Sequence, residues 1–283
     1  MYLTAFFLIL ASVTAQKCPL QFDGRVPGDA TLETFDGTFS PFNAQYVLGS
    51  NLKWSGVLVL PAVNHSLFDH AKTQAIGLTI NDKSIFNQQT GFRRAELLPL
   101  SNSGTDASTT GVKTIHFSIM KDSKRPLNVS HEYQLFFLES SDYSTNQVVL
   151  KYGSIIGGNP SGANPDTLFL QGNVNTKPIS TIFSTRFTPD VWHNFGLVLD
   201  FVKGTTQVYY STNNAALAAV SKVATNNVAG QGQYHFGILK KPVGSTGDIT
   251  KTGKQPSSIN EGVIFGGIFE EDSSKNSCIS LSP

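Results

Sequence analysis

The sequence predicts an all-β fold, a jelly-roll sandwich with a concave substrate groove and few short helices. Short runs rich in Val, Ile, Phe, Tyr and Thr recur along the chain, as they do in strands. Gly, Asn, Ser, Pro and Asp separate these runs, which is typical of turns. Ten or more such runs in one domain favour a β-sandwich over an α/β enzyme, and no repeat or low-complexity linker divides the chain.

The predicted strands follow one another with short turns between them. In TIHFSIM, apolar Ile115, Phe117 and Ile119 alternate with polar residues, so one face of this strand is apolar. FGLVLDF is apolar on both faces and is predicted to lie inside a sheet. The best helix candidate is NNAALAAVSKVATNN, residues 213–227. In chain order, the predicted strands are WSGVLVLP, AIGLTI, GFRRAEL, TIHFSIM, YQLFFLE, QVVLKYG, TIFSTRF, FGLVLDF, TQVYYS, YHFGILKK and GVIFGGIF.

The N-terminal segment has the pattern of a secretory signal peptide. Residues 5–13 form a short uncharged apolar run, and small residues stand at Val13 and Ala15. Residues 1–15 are therefore predicted to be a signal peptide, too short to span a membrane, and residues 16–283 one β-jelly-roll domain. No later stretch approaches about 18 uninterrupted apolar residues. A secreted, extracellular protein with no membrane partner is expected.

Two cysteines and two sequons fit that compartment. Cys18 and Cys278 are the only cysteines, and in an oxidising compartment they are predicted to pair. Two free or intermolecular thiols are the alternative. Asn64 and Asn128 each begin an Asn-x-Ser sequon and are predicted glycosylation sites.

Charge and motifs exclude several classes of function. A net charge of +1 gives no support for a nucleic-acid partner, which needs clustered basic charge. The chain has no Gly-x-Ser-x-Gly elbow, Walker loop, dinucleotide fingerprint or His-Glu-x-x-His helix. Two cysteines cannot build a structural zinc site, and the spacing of the six histidines indicates no metal. We expect no metal and no cofactor. We also expect the protein to be a monomer.

The stretch GFRRAEL concentrates charge within a predicted strand. Strand alternation puts Arg94 and Glu96 on one face and Arg93 on the other. Arg94 would hold the Glu96 carboxylate ionised and orient it by charge-assisted hydrogen bonds. The alternative is a structural ion pair on a solvated face of the sheet.

A second candidate stretch is SHEYQLFFLES. Alternation places Glu132 and Gln134 on one face, and Tyr133 and Glu139 on the other. Glu132 begins a strand that becomes wholly apolar, whereas Glu139 lies beside the turn SSDYSTN, where a solvated carboxylate is the simpler interpretation. Glu132 is therefore favoured as a functional carboxylate, with Glu139 as the alternative.

Histidines complete the set of candidate residues. His116 and His235 are candidates to face the same groove as the carboxylates, while His193 fits a hydrogen-bonded core position as well. Two carboxylates in a groove with Gln, Tyr, His and Arg suit hydrolysis of a glycosidic bond. One carboxyl must carry a proton for the leaving oxygen, and the other must be ionised.

At these residues the chain resembles glycoside hydrolase family 131, from Cys18 to Pro283. The blocks that carry the resemblance are long and lie in order. They are CPLQFDGRVP, QTGFRRAELLP, TIHFSI, RPLNVSHEYQLFFLE, WHNFGLVLDF, QVYYS, HFGILKKP, EGVIFGGIFEEDSS and CISLSP.

The resemblance implies a secreted fungal β-glucanase with a β-jelly-roll catalytic domain. It implies an inverting mechanism, action on β-1,3, β-1,6 and β-1,4 linkages, and a role in degrading plant or fungal cell-wall glucan, cellulose included. Carried over by motif, Glu96 of RRAEL and Glu132 of SHEYQ are the expected catalytic pair. Inversion would place their carboxyls about 6.5–9.5 Å apart. The expected substrate-binding residues are Arg93, Arg94, His116, Tyr133, Gln134 and His235.

Two other functions remain open from the sequence. A jelly-roll polysaccharide lyase acting on uronate-containing glucan would need a His or Tyr base and an Arg or Gln that neutralises the uronate. A non-catalytic glucan-binding protein would use the same groove without working carboxylates.

Overall fold

The computed structural model describes residues 18–38, 40–44, 46–275 and 277–283, so the predicted signal peptide lies outside the described residues. The chain forms a β-sandwich, which confirms the predicted fold class. Its larger sheet has nine strands and its smaller sheet six, and a separate ribbon has two. The described residues contain no α-helix, and no helix among them has the length and apolar character needed to span a membrane.

The strands are short except for two that run through the larger sheet. In chain order they are β1 Leu20–Asp23, β2 Val26–Pro27, β3 Leu58–Val59, β4 Thr73–Gln74, β5 Ile76–Asn81, β6 Arg93–Leu97, β7 Val112–Lys121, β8 Glu132–Glu139, β9 Asn146–Gly153, β10 Thr167–Gln171, β11 Thr181–Arg186, β12 His193–Asp200, β13 Thr205–Thr212, β14 Ala218–Ala219, β15 Ala224–Thr225, β16 Gln233–Lys240 and β17 Asn260–Asp272. Single 3₁₀ turns occupy Leu32–Asp36, Trp54–Gly56, Ala107–Thr109 and Pro160–Gly162.

Strand order shows how the two sheets are built. The larger sheet follows β14-β13-β12-β7-β17-β5-β3, with β1 paired to β17 and β15 paired to β13. The smaller sheet follows β11-β10-β9-β8-β16-β6, and β2 pairs β4. The ladders of both sheets are antiparallel. The strand predicted from FGLVLDF, β12, lies between β7 and β13 and is thus an interior strand, as predicted.

Aromatic rings fill the space between the sheets. Phe117 of β7 stacks on Phe136 of β8 with ring centroids 4.6 Å apart, and on Phe195 of β12 at 5.1 Å. Ile115 and Ile119 face the same core, so the alternation predicted for this strand is confirmed. Burying each such side chain contributes about 1.5–3 kcal/mol.

The predicted helix over residues 213–227 is wrong. This segment forms turns and the two short strands β14 and β15, which pair with β13 through Tyr210↔Ala218 and Thr206↔Ala224. Leu217 is its one deeply buried apolar anchor, whereas Val220 and Val223 are exposed. A short alanine-rich helix has little stability without an apolar face packed on a core, so pairing to the edge of the sheet prevails.

A bulge interrupts alternation in β8. Gln134 pairs with Lys151 but Phe136 pairs with Leu150, so Leu135 is an extra residue. Leu135 and Phe136 both pack into the core. Because the bulge shifts the phase of alternation, Glu132 and Glu139 lie on the same outer face, and their predicted placement on opposite faces is wrong.

A disulfide joins the two ends of the described chain. Cys18 and Cys278 are bonded, with their Cα atoms 5.6 Å apart, which confirms the predicted pairing. Next to it, β1 pairs with β17 of the larger sheet. Both ends are therefore fixed to the same edge of the sandwich.

A buried ion pair joins the two sheets. Lys240 of β16 donates to Glu261 of β17 at 2.6 Å, and the Tyr133 hydroxyl donates to the other Glu261 oxygen at 2.7 Å. All three side chains are buried. A buried charge needs such partners, because removing it from water costs several kcal/mol.

We expect Glu261→Gln to lower the free energy of unfolding by about 3–5 kcal/mol, because Lys240 would remain buried without its counter-charge. Urea denaturation followed by circular dichroism measures this loss. The matched control is Lys203→Ala, because Lys203 is 79% exposed and pairs with Asp200 at 3.6 Å. A loss no larger than the control's would show that the buried pair contributes little.

A second prediction concerns Glu270, which lies buried near Tyr234 and Ser108. Burial raises its pKa from 4.5 to about 8. The folded state therefore binds this proton more tightly than the unfolded state, and the stabilisation is fully present below pH 4.5 and lost as pH rises through about 8.

Glu270→Gln keeps the shape of the side chain and removes the titration. We expect the unfolding free energy of the wild type to fall relative to that of E270Q by a few kcal/mol between pH 4.5 and 8, at about 1.4 kcal/mol per pKa unit. Denaturation curves of both proteins across this range measure the difference. Parallel curves would contradict the assignment.

Candidate active site

The candidate site lies on the outer face of the smaller sheet, where β16 runs between β6 and β8. Gly237 of β16 pairs with Glu96 of β6, and Gln233 of β16 pairs with Glu139 of β8. His235 lies between these two positions on β16. The ladder therefore brings together three titratable side chains from distant parts of the sequence: Glu96, Glu139 and His235.

Arg94 holds Glu96 with two parallel hydrogen bonds. Its Nε donates to Glu96 Oε1 at 2.6 Å and its Nη2 donates to Oε2 at 2.9 Å, while Nη1 donates to Gln89 Oε1 at 2.9 Å. Glu96 is completely buried. Arg94 and Glu96 share a face, as strand alternation predicts, and the forked geometry fixes the orientation of the carboxylate.

His235 connects the two glutamates. Its Nδ1 lies 2.7 Å from Glu96 Oε2, and its Nε2 lies 3.6 Å from Glu139 Oε2. Because the Glu96 carboxylate accepts, Nδ1 is the donor of this hydrogen bond. Nε2 makes no hydrogen bond within the described part of the chain. Phe137 stacks on the ring at 4.3 Å and fixes its plane.

The two glutamates have pKa values shifted in opposite directions. Burial tends to raise the pKa of Glu96, but the charge of Arg94 and the hydrogen bonds from His235 and Arg94 lower it overall. Burial raises the pKa of Glu139, and the negative charge of Glu96 adds to this effect, while His235 and Arg94 oppose it. Glu96 is thus the ionised member of the pair, and Glu139 is the member that retains a proton more readily.

A cleft of about 460 Å³ opens over these residues. Arg94, Glu139 and His235 line its floor. Tyr46, Phe86 and Tyr143 contribute aromatic rings to its walls, and Asn87 and Gln89 contribute amides. The lining thus combines apolar surface with a few convergent polar groups, as binding sites for small organic ligands do.

Gly237 allows β16 to approach β6 beside Glu96. A Cβ atom at this position would lie 2.1 Å from the Ala95 carbonyl oxygen and 2.7 Å from the Glu96 Cα. Both contacts are with backbone, which cannot move away without disturbing the ladder. A glycine is therefore required at the point where the candidate carboxylate is set.

Glu132, the predicted partner of Glu96, lies at the other end of β8. Lys241 donates to its Oε1 at 2.8 Å, Lys151 lies 3.2 Å from the same oxygen, and the Ile156 amide donates to Oε2 at 2.8 Å. Burial opposes ionisation, but the two lysines lower the pKa of Glu132 overall. Both of its oxygens are occupied by protein donors.

Apolar side chains separate Glu132 from the cleft. Phe92, Phe137, Val149 and Leu239 form a buried cluster on the same outer face, and Ile249 packs against it. On β8, Phe137 lies between Gln134 and Glu139. The structure thus brings Glu139 to Glu96 and does not bring Glu132 there.

The other predicted binding residues lie in different places. Tyr133 faces the core, where it hydrogen-bonds Glu261, and Gln134 is buried on the outer face near Glu132. Arg93 donates to the carbonyl oxygens of Thr90 and Phe92. None of these three side chains lines the cleft over Glu139.

His116 belongs to the larger sheet rather than to the cleft. Its Nε2 lies 2.9 Å from Glu271 Oε2, and its ring stacks on Phe269 at 4.3 Å. His193 contacts Tyr210 and accepts from the Thr188 amide, as in the core position considered for it. Of the predicted histidines, only His235 reaches the candidate carboxylates. No group of three or more His, Cys, Asp or Glu side chains in the described ranges is arranged to hold a metal ion.

The importance of Glu139 was missed by strict strand alternation. The signal that could have identified it is the run Leu135-Phe136-Phe137-Leu138, which is too apolar to divide between a core face and a solvated face. Such a run is compatible with a bulge, but its position is set by packing of the sheet and not by the run itself.

Comparison with known proteins identifies relatives of the chain. The protein-family model of the glycoside hydrolase 131 catalytic N-terminal domain matches residues 20–276 of the sequence. A crystal structure of a GH131 beta-glucanase catalytic domain from Podospora anserina superposes with a TM-score of 0.70 at 23% identity, covering 93% of this chain and 98% of that one. The catalytic domain of the glycoside hydrolase family 131 protein from Coprinopsis cinerea gives 0.69 at 22% identity, covering 94% and 98%.

No curated protein sequence matches the chain. At these identities, the two solved structures establish a shared fold. The family model covers nearly all of the described residues, and it confirms the resemblance drawn from the sequence blocks. The chain belongs to glycoside hydrolase family 131 and is a glycoside hydrolase.

Proposed function

We propose that the protein hydrolyses β-glucans at the Glu96–His235–Glu139 row, by an inverting mechanism. The observation that carries this proposal is a pair of carboxyl groups on either side of one imidazole, Glu139 in the cleft and Glu96 buried beside it, with pKa values shifted apart. Environments that separate the pKa values of two acids favour one as the proton donor and the other as the base. A beta-glucanase among the structural relatives supports the substrate class.

Glu139 is the general acid in this proposal. Its carboxyl lines the cleft, and burial raises its pKa, which favours the protonated form that a departing glycosidic oxygen requires. During bond cleavage, the proton moves from Glu139 to that oxygen.

Glu96 is the general base, and it activates the water that attacks the anomeric carbon. Arg94 and His235 keep it ionised, and these two side chains line the cleft beside the buried carboxylate. Both Glu96 oxygens are bonded to them, so in this proposal the attacking water replaces one of those bonds. The contacts of 2.7 and 3.6 Å on either side of the imidazole, with the ring between them, space the two carboxyls. Because the ring separates the two carboxyls, we propose inversion, which requires about 6.5–9.5 Å between them, and not retention, which requires about 5–5.5 Å.

The geometry favours hydrolysis over β-elimination. A lyase needs a cation free to neutralise a uronate, but Arg94 is bonded to Glu96 and Gln89, and Arg93 to two carbonyl groups. Tyr133 and His116 lie outside the cleft, and His235, which lines it, is bonded through Nδ1 to Glu96. A purely binding protein would not need two carboxyls held in opposite protonation states.

The proposal includes the properties that the sequence implies. We propose action on β-1,3, β-1,6 and β-1,4 linkages, cell-wall glucan including cellulose as the source, a monomeric enzyme, and a catalytic domain over residues 16–283. Secretion through a signal peptide at 1–15 is supported by the Cys18–Cys278 disulfide. The sequon asparagines Asn64 and Asn128 are exposed, as glycosylation would require.

Substitution of the three glutamates tests the assignment. We expect Glu139→Gln and Glu96→Gln each to lower kcat/KM on laminarin by about 10²–10⁴-fold. Glu132→Gln is the matched control on the same strand and face, and should lower thermal stability while leaving kcat/KM within a few-fold of the wild type. Release of reducing ends, with circular dichroism to confirm folding, measures both. If E132Q were inactive and E139Q active, the pair would be Glu96 and Glu132.

A further test separates the acid from the base. The acid is dispensable when the leaving group is already a weak base, so E139Q should hydrolyse an aryl β-glucoside with an activated phenol far better than it hydrolyses laminarin. E96Q should be impaired on both substrates. Equal impairment of E139Q on both substrates would argue against Glu139 as the proton donor.

The pH dependence follows from the two shifted pKa values. For the wild type we expect a bell-shaped kcat/KM profile, with an acid limb below 4.5 set by Glu96 and an alkaline limb above 4.5 set by Glu139. The residual activity of E96Q should lack the acid limb, and that of E139Q the alkaline limb. Profiles that keep both limbs in both variants would contradict these roles.

A further inference from the structure

Tyr143 is the one exposed aromatic residue in the described part of the chain. It is 64% exposed, whereas the other described Phe, Tyr and Trp side chains are buried or half-buried. It stands four residues after Glu139 and lines the same cleft. An exposed large apolar side chain is informative, because exposure forgoes the free energy that burial would supply.

The exposed ring of Tyr143 lies on a hydrogen-bonded turn. Tyr143 has φ of 59°, in the left-handed region that non-glycine residues seldom adopt. Its amide donates to the Ser140 carbonyl at 2.8 Å, and Asp142 Oδ1 accepts from Ser140 Oγ at 2.7 Å and from the Ser144 amide at 3.0 Å. The turn is therefore rigid, and its strained residue is the one that carries the ring.

Other aromatic rings continue from Tyr143 along the cleft wall. Tyr46 lines the same cleft as Tyr143. Tyr46 packs edge-on against Phe86 at 5.4 Å, and Phe86 lies 5.7 Å from the Arg94 guanidinium. The row of rings runs from the turn after Glu139 to the cation that holds Glu96, so a ligand that contacts Glu139 in the cleft passes beside it.

The charges in the cleft indicate a neutral ligand. Among the lining residues, Arg94 is the only Lys or Arg, and its fork is bonded to Glu96 and Gln89. An acidic sugar would find no unoccupied cation among them. A neutral hexose has an apolar face of C–H groups, which the negative face of an aromatic ring attracts.

We propose that Tyr143 is the positioning residue of this site, on whose ring the glucosyl unit next to the scissile bond stacks. Tyr46 and Phe86 extend the aromatic surface along the same wall of the cleft. The inference rests on the proposed function and adds the surface that places the anomeric carbon between Glu139 and Glu96. Such placement contributes through binding and orientation, and no bond is made to Tyr143.

Replacing the ring tests this role. We expect Tyr143→Ala to raise KM for laminari-oligosaccharides about 3- to 30-fold with little change in kcat. Tyr143→Phe keeps the stacking face and should stay within about twofold of the wild type. The same ratio should appear in binding measured by calorimetry on E139Q against E139Q/Y143A, where hydrolysis does not interfere. Val202→Ala, at an 80% exposed residue outside the cleft, is the control and should change neither constant.

The results separate this inference from the function on which it rests. If the wild type releases no reducing ends from β-glucans, the proposed function fails. If the wild type is active and Y143A matches it in both KM and Kd, the positioning role alone is overturned. If Y143F is as impaired as Y143A, the Tyr143 hydroxyl matters more than the ring face, which also overturns stacking.

Discussion

The candidate site depends on the antiparallel ladder that places β16 between β6 and β8. This ladder joins His235 to Glu96 across 139 positions of sequence and brings Glu139 to the other side of the ring. It tolerates no side chain at Gly237, where the two backbones approach most closely. The bidentate contact of Arg94 then compensates the cost of burying a carboxylate, which alone would take up a proton instead of staying ionised.

Glu96 and Glu132 are two carboxylates on the same sheet face, and their different contacts decide which of them has a proposed function. Glu96 and Glu132 are both buried, and cations lower the pKa of each. Glu132 is held by Lys151, Lys241 and a backbone amide, and it lines a separate cleft of about 370 Å³. Glu96 instead shares His235 with a second carboxyl at the cleft floor. Only the second arrangement places a carboxyl whose pKa is raised beside one whose pKa is lowered.

Strand periodicity predicted much of the fold and of the candidate site, and it failed at specific positions. The run of strands predicted the sandwich, and alternation placed Arg94 with Glu96 and put Phe117 in the core. Alternation failed in β8, because Leu135 and Phe136 both pack inward and reverse the phase beyond them. Periodicity also left His116 and His235 equivalent, since the sheet to which each strand belongs follows from long-range pairing. The segment 213–227 failed because helix propensity is weak against an available sheet edge.

The failure of strand alternation and the candidate proton donor Glu139 both lie on strand β8. A regular β8 would have directed Glu139 into the core or forced Phe136 into the cleft, so the bulge reconciles dense aromatic packing with a carboxyl on the outer face. The turn after this strand contains Tyr143, whose backbone is strained and whose ring is exposed. Both departures from regular geometry cost stability, which the core and the inter-sheet ion pair of Lys240 and Glu261 supply. Residues that are not optimal for folding are expected at positions where function determines which residue is present.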